Sequence, residues 1–562
     1  MVMNLFISDG CFAKDRDNFP IFEQYQTKNH MKSLIHRLLV LTCLLVPLTL
    51  TAKPKSLEAQ ALETMKTATQ YMMDVVGYRG GFVWNYLPDL SRQWGEMEAK
   101  RTMVWTQDPG TPQMGQLLLD AYHATGDEYY YEAAKQVAQA LIWGQHESGG
   151  WNYTFDFAGE ASLKDWYATV GQSGWRLEEF QHYYGNATFD DSCTSQCAKF
   201  LLRIYAEKYD PAFRQALDKA IAFVLNSQYP SGGWPQRWPL MYDHPFQGRP
   251  DYSSFITLND DVIPQCIDFL VQCYQTLGMP GLKEPIYRAM YLCILLQQGA
   301  PYAGWSDQYT PSDLKPAHAR SYEPRAISSS CTASMVRQMM QYYRLTGDTR
   351  FLAGIPAALD FLESLKLPAS EEQKWGRPSG DPDAILVPRF IDPDTGIPQY
   401  VHRVGSNWYN GHYFTNQDIS GTIGHYSSAA RINVKALRHQ YEELKARPVA
   451  EVVKGSPLLE KELVPLPKYV AAARPMRGDV KAIIDALTPE GYWLSPLGST
   501  SNPYKPGAPT TPSGETKYGS TNVGDEYDTS PYRCTDGTMC ISTRDYINKM
   551  SALIRFIDKD AK

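Results

Sequence analysis

The chain's clearest candidate for chemistry is residues 232–261, which combine an arginine, aromatic residues and paired acids. The segment contains Arg237 and ends on Asn259, Asp260 and Asp261, directly before a predicted helix. One of these three residues can cap that helix, which leaves at least one carboxylate free on a loop. Carboxylate oxygens are hard ligands that suit Ca²⁺, so the sequence predicts a calcium site with Asp260 and Asp261 as ligands.

Two later segments, residues 317–328 and 387–412, supply further candidate groups. Arg320, Tyr322 and His402 are candidate catalytic residues, and Glu323 is a third candidate calcium ligand. Aromatic faces stack on the apolar faces of sugars, while polar and charged groups bind sugar hydroxyls and carboxylates. On this basis the predicted substrate-binding residues are Trp234, Arg237, Trp238, Tyr252, Arg389, Trp408 and His412.

Repeated helical hairpins are expected to position these groups. Apolar residues recur at i, i+3 and i+4 in four helix–turn–helix units that begin at Met114, Phe200, Val262 and Met335. The first three units close on a glycine turn before Trp151, Trp234 and Trp305. Stacked helical hairpins bury one helix layer against the other and gather their loops at one end. The sequence therefore predicts an all-α fold, an (α/α) toroid or barrel.

The C-terminal part, residues 370–562, is richer in Pro, Gly, Asp and Tyr. It is predicted to be the loop-rich half of one domain, residues 53–562. Helices are predicted over residues 429–446, 479–487 and 543–557. Residues 499–536 are predicted to form a long loop.

The N-terminus predicts export. Residues 31–52 combine positive residues, an apolar run and a small residue at Ala52, which is typical of a secretory signal peptide; an anchoring helix is the alternative. Residues 1–30 would be an upstream start artefact. The predicted location is the periplasm or cell surface of a bacterium. Export permits disulfides, for which Cys193/Cys197 and Cys534/Cys540 are the close pairs.

Composition excludes two broad classes. The chain has 43% hydrophobic residues, 12% aromatic residues and a net charge of −7. That apolar content can offset the entropy of ordering, so disorder is not the dominant state. A mild negative charge disfavours nucleic acid, which requires a basic face. The aromatic surplus is expected to divide between the core and a carbohydrate cleft.

In these motifs the chain resembles the pectic acid lyase family, polysaccharide lyase family ten. The matching motifs are Gly-Gly-Trp-Pro-Gln at 232–236, Asn-Asp-Asp at 259–261, Ala-Arg-x-Tyr-Glu at 319–323 and Arg-Phe at 389–390. The similarity continues through Gly-Tyr-Trp at 491–493, expected as a strand, to Ile-Ser-Thr at 541–543. It covers most of the mature chain and preserves the order of the motifs.

The resemblance implies a secreted, monomeric lyase for an acidic plant polysaccharide or oligosaccharide, pectate first. It also implies that an arginine acts as the base, and Arg403 is the matching residue. The chain departs from the family pattern at Ile397, where an arginine is expected, and at Val404, where an acid is expected.

β-Elimination removes the C5 proton of a 4-linked uronide once the neighbouring carboxylate is neutralised. Ca²⁺ on Asp260 and Asp261, or a clamp of Arg237 and Arg320, would neutralise it. Arg403, His402 and His412 are the alternative bases, and Tyr322 is a candidate acid or base. Other functions left open are a lyase releasing a sugar from O4 of a side-chain glucuronate, a glycoside hydrolase using Asp190/Asp191 with Asp260, and a non-catalytic carbohydrate-binding protein.

Overall fold

Antiparallel helical hairpins build the (α/α) toroid that the sequence predicts. The computed structural model describes residues 55–174, 177–240, 244–245, 249–406, 409–423, 426–474, 478–501 and 531–561. The predicted start artefact, signal peptide, Trp408 and most of the predicted loop lie outside these residues, and the domain limits stay predictions. Within the described residues, no helix has the length and apolar character needed to cross a membrane.

The helices follow the predicted hairpin pattern. In chain order they are α1 Leu57–Tyr71, α2 Thr111–Thr125, α3 Glu128–Gly144, α4 Glu160–Thr169, α5 Glu178–Gln181, α6 Cys193–Lys208, α7 Pro211–Ser227, α8 Val262–Leu277, α9 Lys283–Leu295, α10 Ser329–Thr346, α11 Arg350–Ala353, α12 Ile355–Ser364, α13 Ala369–Trp375, α14 Val434–Ala446, α15 Val449–Val452, α16 Val480–Asp485 and α17 Thr543–Ile557. The pairs α2/α3, α6/α7, α8/α9 and α10/α12 are the four predicted units. Helix α17 packs on α1 and α2, so the end of the chain closes against its beginning.

A buried tryptophan anchors the turn after the second, outer helix of each of the first three hairpins. The indole N–H groups of Trp151, Trp234 and Trp305 donate to main-chain carbonyls of the preceding outer helices, at Leu141, Val224 and Cys293, over 2.7–2.8 Å. All three tryptophans are at most 1% exposed. These residues are therefore structural anchors of the repeat.

Trp493 repeats this arrangement by donating to the carbonyl of Ile483 over 2.9 Å. Residues 491–493, expected as a strand, instead form a turn before a buried tryptophan, which corrects that expectation. Glycine stands two residues before the tryptophan in three of the four turns, and Ala303 stands there in the fourth. The glycine is required at position 232, where φ is +108° and a Cβ would lie 2.6 Å from the carbonyl oxygen of Arg288.

Short strands connect the helices. They are β1 Asn85–Tyr86, β2 Gln93–Trp94, β3 Glu98–Ala99, β4 Met103–Trp105, β5 Thr154–Asp156, β6 Ala187–Thr188, β7 Arg237–Trp238, β8 Ile256–Thr257, β9 Trp305–Ser306, β10 Gln308–Tyr309, β11 Pro316–Ala317, β12 Ile327–Ser328, β13 Ile385–Pro388, β14 Phe390–Ile391, β15 Pro398–Ser406, β16 Tyr409–Asn416, β17 Ala429–Ile432, β18 Ser495–Pro496, β19 Ser499–Ser501, β20 Pro531–Arg533 and β21 Met539–Ser542. The largest sheets have the orders β16-β15-β14-β12-β9 and β18-β21-β1-β2-β3.

The loop-rich half contains more regular structure than the sequence predicts. Strands β15 and β16 form a long hairpin where only loop is expected, and β17 pairs with β13 at residues assigned to the start of a helix. Helix α14 begins at Val434, where Asn433 caps it by accepting a hydrogen bond from the amide of Ala436. All eight cysteines of the described residues are free thiols, so neither close pair is bonded.

Candidate functional site

An acidic cavity of about 400 Å³ lies where the inner helices α2, α6 and α8 begin. Its lining side chains are polar or aromatic: Glu96, Gln107, Glu179, Asp191, Asp260, Arg320, Arg389, Tyr426 and Ser427. Four carboxyl groups thus face two guanidinium groups. Loops at one end of the toroid supply this wall, as expected for a scaffold that carries function on its loops.

A repeated sequence places two of the acids. Thr-Phe-Asp-Asp at 188–191 precedes α6, and Thr-Leu-Asn-Asp at 257–260 precedes α8. Each sequence leads into a single 3₁₀ turn, Asp190–Ser192 or Asn259–Asp261, and the two turns contact each other. Asp191 and Asp260 both have left-handed backbones, with φ of 46° and 50°, which Asp tolerates better than most residues. The repeat therefore places two carboxylates on one wall.

Arg320 holds a buried ion network behind that wall. Its guanidinium pairs with Asp190 at 2.5 Å, Glu179 at 3.1 Å and Glu323 at 3.2 Å, and the side chain is 2% exposed. Burial alone would lower the pKa of Arg320, but Glu179 and its other partners raise that pKa well above the usual value. Arg320 therefore cannot act as a base, and its role is to orient and neutralise these acids.

Gln107 joins two acids of the cavity. Its Nε2 donates to Glu96 Oε2 at 3.0 Å and to Asp191 Oδ2 at 2.7 Å. The indole of Trp105 donates to Gln107 Oε1 at 2.9 Å, which fixes the direction of the amide. Burial and Glu179 raise the pKa of Glu96 to about 7, and burial and Asp190 raise the pKa of Asp191 well above its usual value.

Arg389 is the cavity cation that lacks an acidic partner. Its guanidinium lies 4.6 Å from the ring centre of Tyr426. Within the described residues it has no carboxylate at ion-pairing distance, and its buried Nε has no hydrogen-bond partner. The Tyr426 hydroxyl in turn lies 3.1 Å from Asp260 Oδ2, which also accepts from Asn259 Nδ2 at 2.8 Å. Arg389 is half-buried and offsets part of the rise in the pKa values of Asp307 and Glu323, but neither acid forms an ion pair with it, so its guanidinium can bind an anionic ligand.

Residues 164–283 and 289–420 match the family model of pectic acid lyases. The chain is therefore similar to pectic acid lyases over a little less than half of its length. The match confirms the resemblance on which the prediction of a lyase for uronate-containing polymers rests. Asp191, Asp260, Arg320 and Arg389 lie inside the matched residues, whereas Glu96 and Gln107 precede them.

Several solved enzymes are similar to this chain in structure. A family 10 polysaccharide lyase from Cellvibrio cellulosa shares 16% identity over 59% of this chain and 97% of that chain, with a TM-score of 0.39. A cellobiose 2-epimerase from Spirochaeta thermophila shares 11% identity over 90% and 100%, with a TM-score of 0.37. A GH76 α-mannanase from Bacteroides thetaiotaomicron shares 10% over 90% and 96%, with a TM-score of 0.34. No curated protein sequence matches the chain significantly.

The structure corrects two of the predicted substrate-binding residues. Trp234 is fully buried and closes a helical hairpin, so it cannot stack on a sugar. Arg237 is 2% exposed and donates from Nη1 to Asn152 Oδ1 at 3.2 Å, behind the cavity wall rather than on it. Arg389 is the residue of the predicted set that lines the cavity.

The other predicted substrate-binding residues lie elsewhere. Tyr252 is 7% exposed and borders a small separate pocket with Glu178 and Arg249. Trp238 is half-buried on β7, and His412 is exposed on β16. Neither lines the acidic cavity.

His402 is placed inside the β15–β16 hairpin and not at the cavity. Its Nε2 lies 2.8 Å from Asn416 Oδ1 and 3.0 Å from the carbonyl oxygen of Asp418, and its ring stacks on Phe414. The side chain is engaged in holding the hairpin, which corrects the prediction that it is a catalytic base.

Tyr322 is fully buried, with its ring 5.4 Å from those of Tyr413 and Tyr426. Burial raises the pKa of Tyr322 well above the usual value, so its hydroxyl stays protonated at neutral pH and is not a base there. Arg403 lies on β15 in register with Tyr413, and its side chain is outside the part of the chain that the structure describes. Its predicted role as a base therefore stays a prediction.

The three predicted calcium ligands do not form one site. Asp260 lines the cavity, but Glu323 is paired with Arg320, and the exposed Asp261 is hydrogen-bonded to Ser334. Consecutive residues of a tight turn point in different directions, which is why adjacent Asp260 and Asp261 separate. Among the described residues, no group of three or more His, Cys, Asp or Glu side chains is arranged to hold a metal ion. Of the three predicted calcium ligands, only Asp260 lines the cavity, where its carboxylate could bind a cation.

The arrangement disfavours the hydrolase alternative. Asp190 is buried in the ion network of Arg320, and its carboxyl is hydrogen-bonded to that of Asp260. A glycoside hydrolase needs two carboxyl groups facing each other with a sugar between them. Asp190 with Asp260 leaves no such space, and Asp191 with Asp260, the other pair of this alternative, lies on two turns that contact each other along one wall.

Glu96, Gln107, Glu179 and Tyr426 are wall residues that the sequence motifs did not indicate. Three of them lie in short connecting segments and Glu179 lies in the four-residue helix α5, so no periodic pattern indicates their orientation. Asp191 could have been found from the repeated Thr-x-x-Asp before α6 and α8.

Proposed function

We propose that this chain is a lyase that cleaves 4-linked galacturonate chains such as pectate by β-elimination, after export from the cell. The observation that carries the proposal is Arg389, a guanidinium without an acidic partner on the wall of a cavity built by the family-matched residues. A substrate carboxylate is a planar anion that such a fork can bind with two hydrogen bonds. A variant of the Cellvibrio cellulosa lyase has been solved with trigalacturonic acid, a ligand of this class.

The chemistry follows from neutralising that carboxylate. The C5 proton of a uronate is weakly acidic because its removal spreads negative charge into the carboxylate. Arg389 would stabilise that charge most strongly as it develops, which lowers the barrier rather than merely tightening binding. The C5 electron pair then forms the C4–C5 double bond as the bond from C4 to O4 breaks.

Arg403 is the proposed base. Its strand, β15, pairs with β14 through Gln399 and Phe390, so β15 adjoins the strand that follows Arg389. Arginine is a weak base in water, so proton removal would require surroundings that disfavour its charge.

Calcium is a further part of the proposal. Burial and the neighbouring Asp190 raise the pKa of Asp260 well above its usual value, which marks negative charge that a cation would stabilise. Asp260 would bind Ca²⁺ together with the substrate carboxylate and water, since hard cations take several oxygen ligands. Bound there, the ion would supply positive charge next to the carboxylate.

The purified mature chain, incubated with polygalacturonate, is expected to release oligosaccharides that carry a C4–C5 double bond. The measurement is ultraviolet absorbance of the unsaturated uronide, with reducing ends counted in parallel and EDTA added in a second series. Equal rises in both signals support elimination. Reducing ends without the double bond would show hydrolysis and exclude the lyase.

Replacing Asp260 by Asn is expected to weaken Ca²⁺ binding by about tenfold or more, because one anionic ligand is lost. Asp261→Asn is the matched control: it removes the adjacent carboxylate of the same turn, which is hydrogen-bonded to Ser334 instead. Isothermal titration of each variant with CaCl₂ separates them. Equal affinities for the two variants would show that Asp260 is not the ligand.

A further inference from the structure

Glu96 faces the reaction cavity from a turn that precedes the family-matched residues. It lies between β2 and β3, directly after Gly95. A Cβ on Gly95 would come within 2.1 Å of the Trp105 ring, so the glycine lets this turn sit against the tryptophan. We propose that Glu96 is the general acid that protonates the leaving O4 of the cleaved polysaccharide, an inference that rests on the proposed lyase function.

Trp105 also positions the carboxyl of Glu96, through the side chain of Gln107. Trp105 donates to Gln107 Oε1, which turns the amide nitrogen toward Glu96 Oε2. Within the described residues, Glu96 Oε1 has no hydrogen-bond partner. One oxygen is therefore positioned by the protein, and the other is available to carry a proton to a ligand in the cavity.

Two of the other three cavity acids are committed to protein partners, whereas Asp191 differs from Glu96 by its shorter side chain. Glu179 is ion-paired with Arg320 and almost fully buried. Asp260 accepts from Asn259 and contacts the Tyr426 hydroxyl. Glu96 is only half-buried and has a longer side chain than Asp, so it can reach a glycosidic oxygen more easily.

The electrostatics favour a proton on Glu96 at neutral pH. Burial, followed by repulsion from Glu179, raises its pKa to about 7. A general acid is most effective when its pKa lies near the working pH, because it is then both protonated and able to give up its proton.

The step balances without a further reactant. The base takes the C5 proton, and the electron pair of that bond becomes the C4–C5 double bond. The bond from C4 to O4 breaks with its pair on oxygen, and the Glu96 proton converts that oxygen to an alcohol. Solvent returns a proton to the Glu96 carboxylate, and the base releases its proton to solvent before the next turnover.

The test compares Glu96→Gln with Glu98→Gln in the full chain. Gln is isosteric but cannot give up a proton, whereas Glu98 belongs to the same hairpin and pairs with Arg92 away from the cavity. Glu96→Gln should lower kcat on polygalacturonate by about 100-fold. On a galacturonide carrying a nitrophenyl group at O4, whose phenolate leaves without a proton, its kcat should match the wild type. Glu98→Gln should match the wild type on both substrates.

Equal losses on both substrates would overturn the inference, because Glu96 would then act on binding or on the first proton transfer. Retention of full activity on polygalacturonate would overturn it as well. Wild-type inactivity on both substrates would overturn the lyase proposal and this inference with it. Thermal unfolding of the variants, if unchanged, shows that the losses are not losses of folded protein.

Discussion

Replacing Arg389 by Ala is expected to lower kcat/KM on polygalacturonate by about a thousandfold. The loss is large because Arg389 is the cavity's unpaired cation and the charge that it meets grows during the reaction. Arg389→Lys should recover only part of the activity, since Lys keeps the charge but not the planar fork. Initial rates of double-bond formation give kcat/KM for each variant.

Arg325→Ala is the control for this prediction. Arg325 is also an arginine of a connecting loop, but it is exposed and pairs with the exposed Asp394. Exposed ion pairs contribute little to stability, so this variant should keep the activity and folding of the wild type. If Arg389→Ala retained more than about a tenth of the activity, another group would have to neutralise the substrate.

Replacing Arg320 by Met is expected to destabilise the protein by about 3–5 kcal/mol at neutral pH. Arg320 is the shared partner of three buried acids, Glu179, Asp190 and Glu323. Without it these largely buried carboxylates repel one another with no cation between them. Urea unfolding followed by circular dichroism measures the change, and Arg350→Met, which breaks an exposed pair with Asp348, should be nearly neutral.

The destabilisation caused by Arg320→Met should increase as the pH rises. Burial already raises the pKa of Glu323 from 4.5 to about 7, and losing Arg320 would raise it further. When a folded-state pKa exceeds the unfolded value, both states are protonated below the unfolded value and no penalty exists. As pH rises above about 4.5 the unfolded state ionises first, so stability falls until the folded pKa is passed. The gap between variant and wild type should therefore be smallest near pH 4 and largest above pH 7. A gap that is independent of pH would contradict this explanation.

The helical framework could be predicted because its information is local. A core-facing stripe needs apolar residues three and four positions apart, and helix ends need caps within the same few residues. The prediction for residues 543–557 matches α17 throughout. The β15–β16 hairpin was missed, since a strand at the surface depends on its partner more than on its own composition.

The residues that line the cavity, in contrast, could not be assigned from the local sequence. Both Trp234 and Tyr426 are aromatic residues near acids in the chain, yet one is a core anchor and the other lines the cavity. Which face a loop residue presents depends on what packs against it, and those neighbours come from distant segments. Tyr426, for example, contacts Asp260 across 166 residues of chain.

By itself the sequence determined the paired helices, the glycine turns before three tryptophans and the resemblance to pectic acid lyases, because each depends on residue types at short, fixed spacings. Only the tertiary structure decided which arginine is free. Arg320 and Arg389 look alike in the sequence, but three acids, two of them more than 100 residues away, neutralise Arg320 and leave Arg389 unpaired at the cavity. Charge compensation acts through space, so the chemistry of this site was set by folding and not by any local motif.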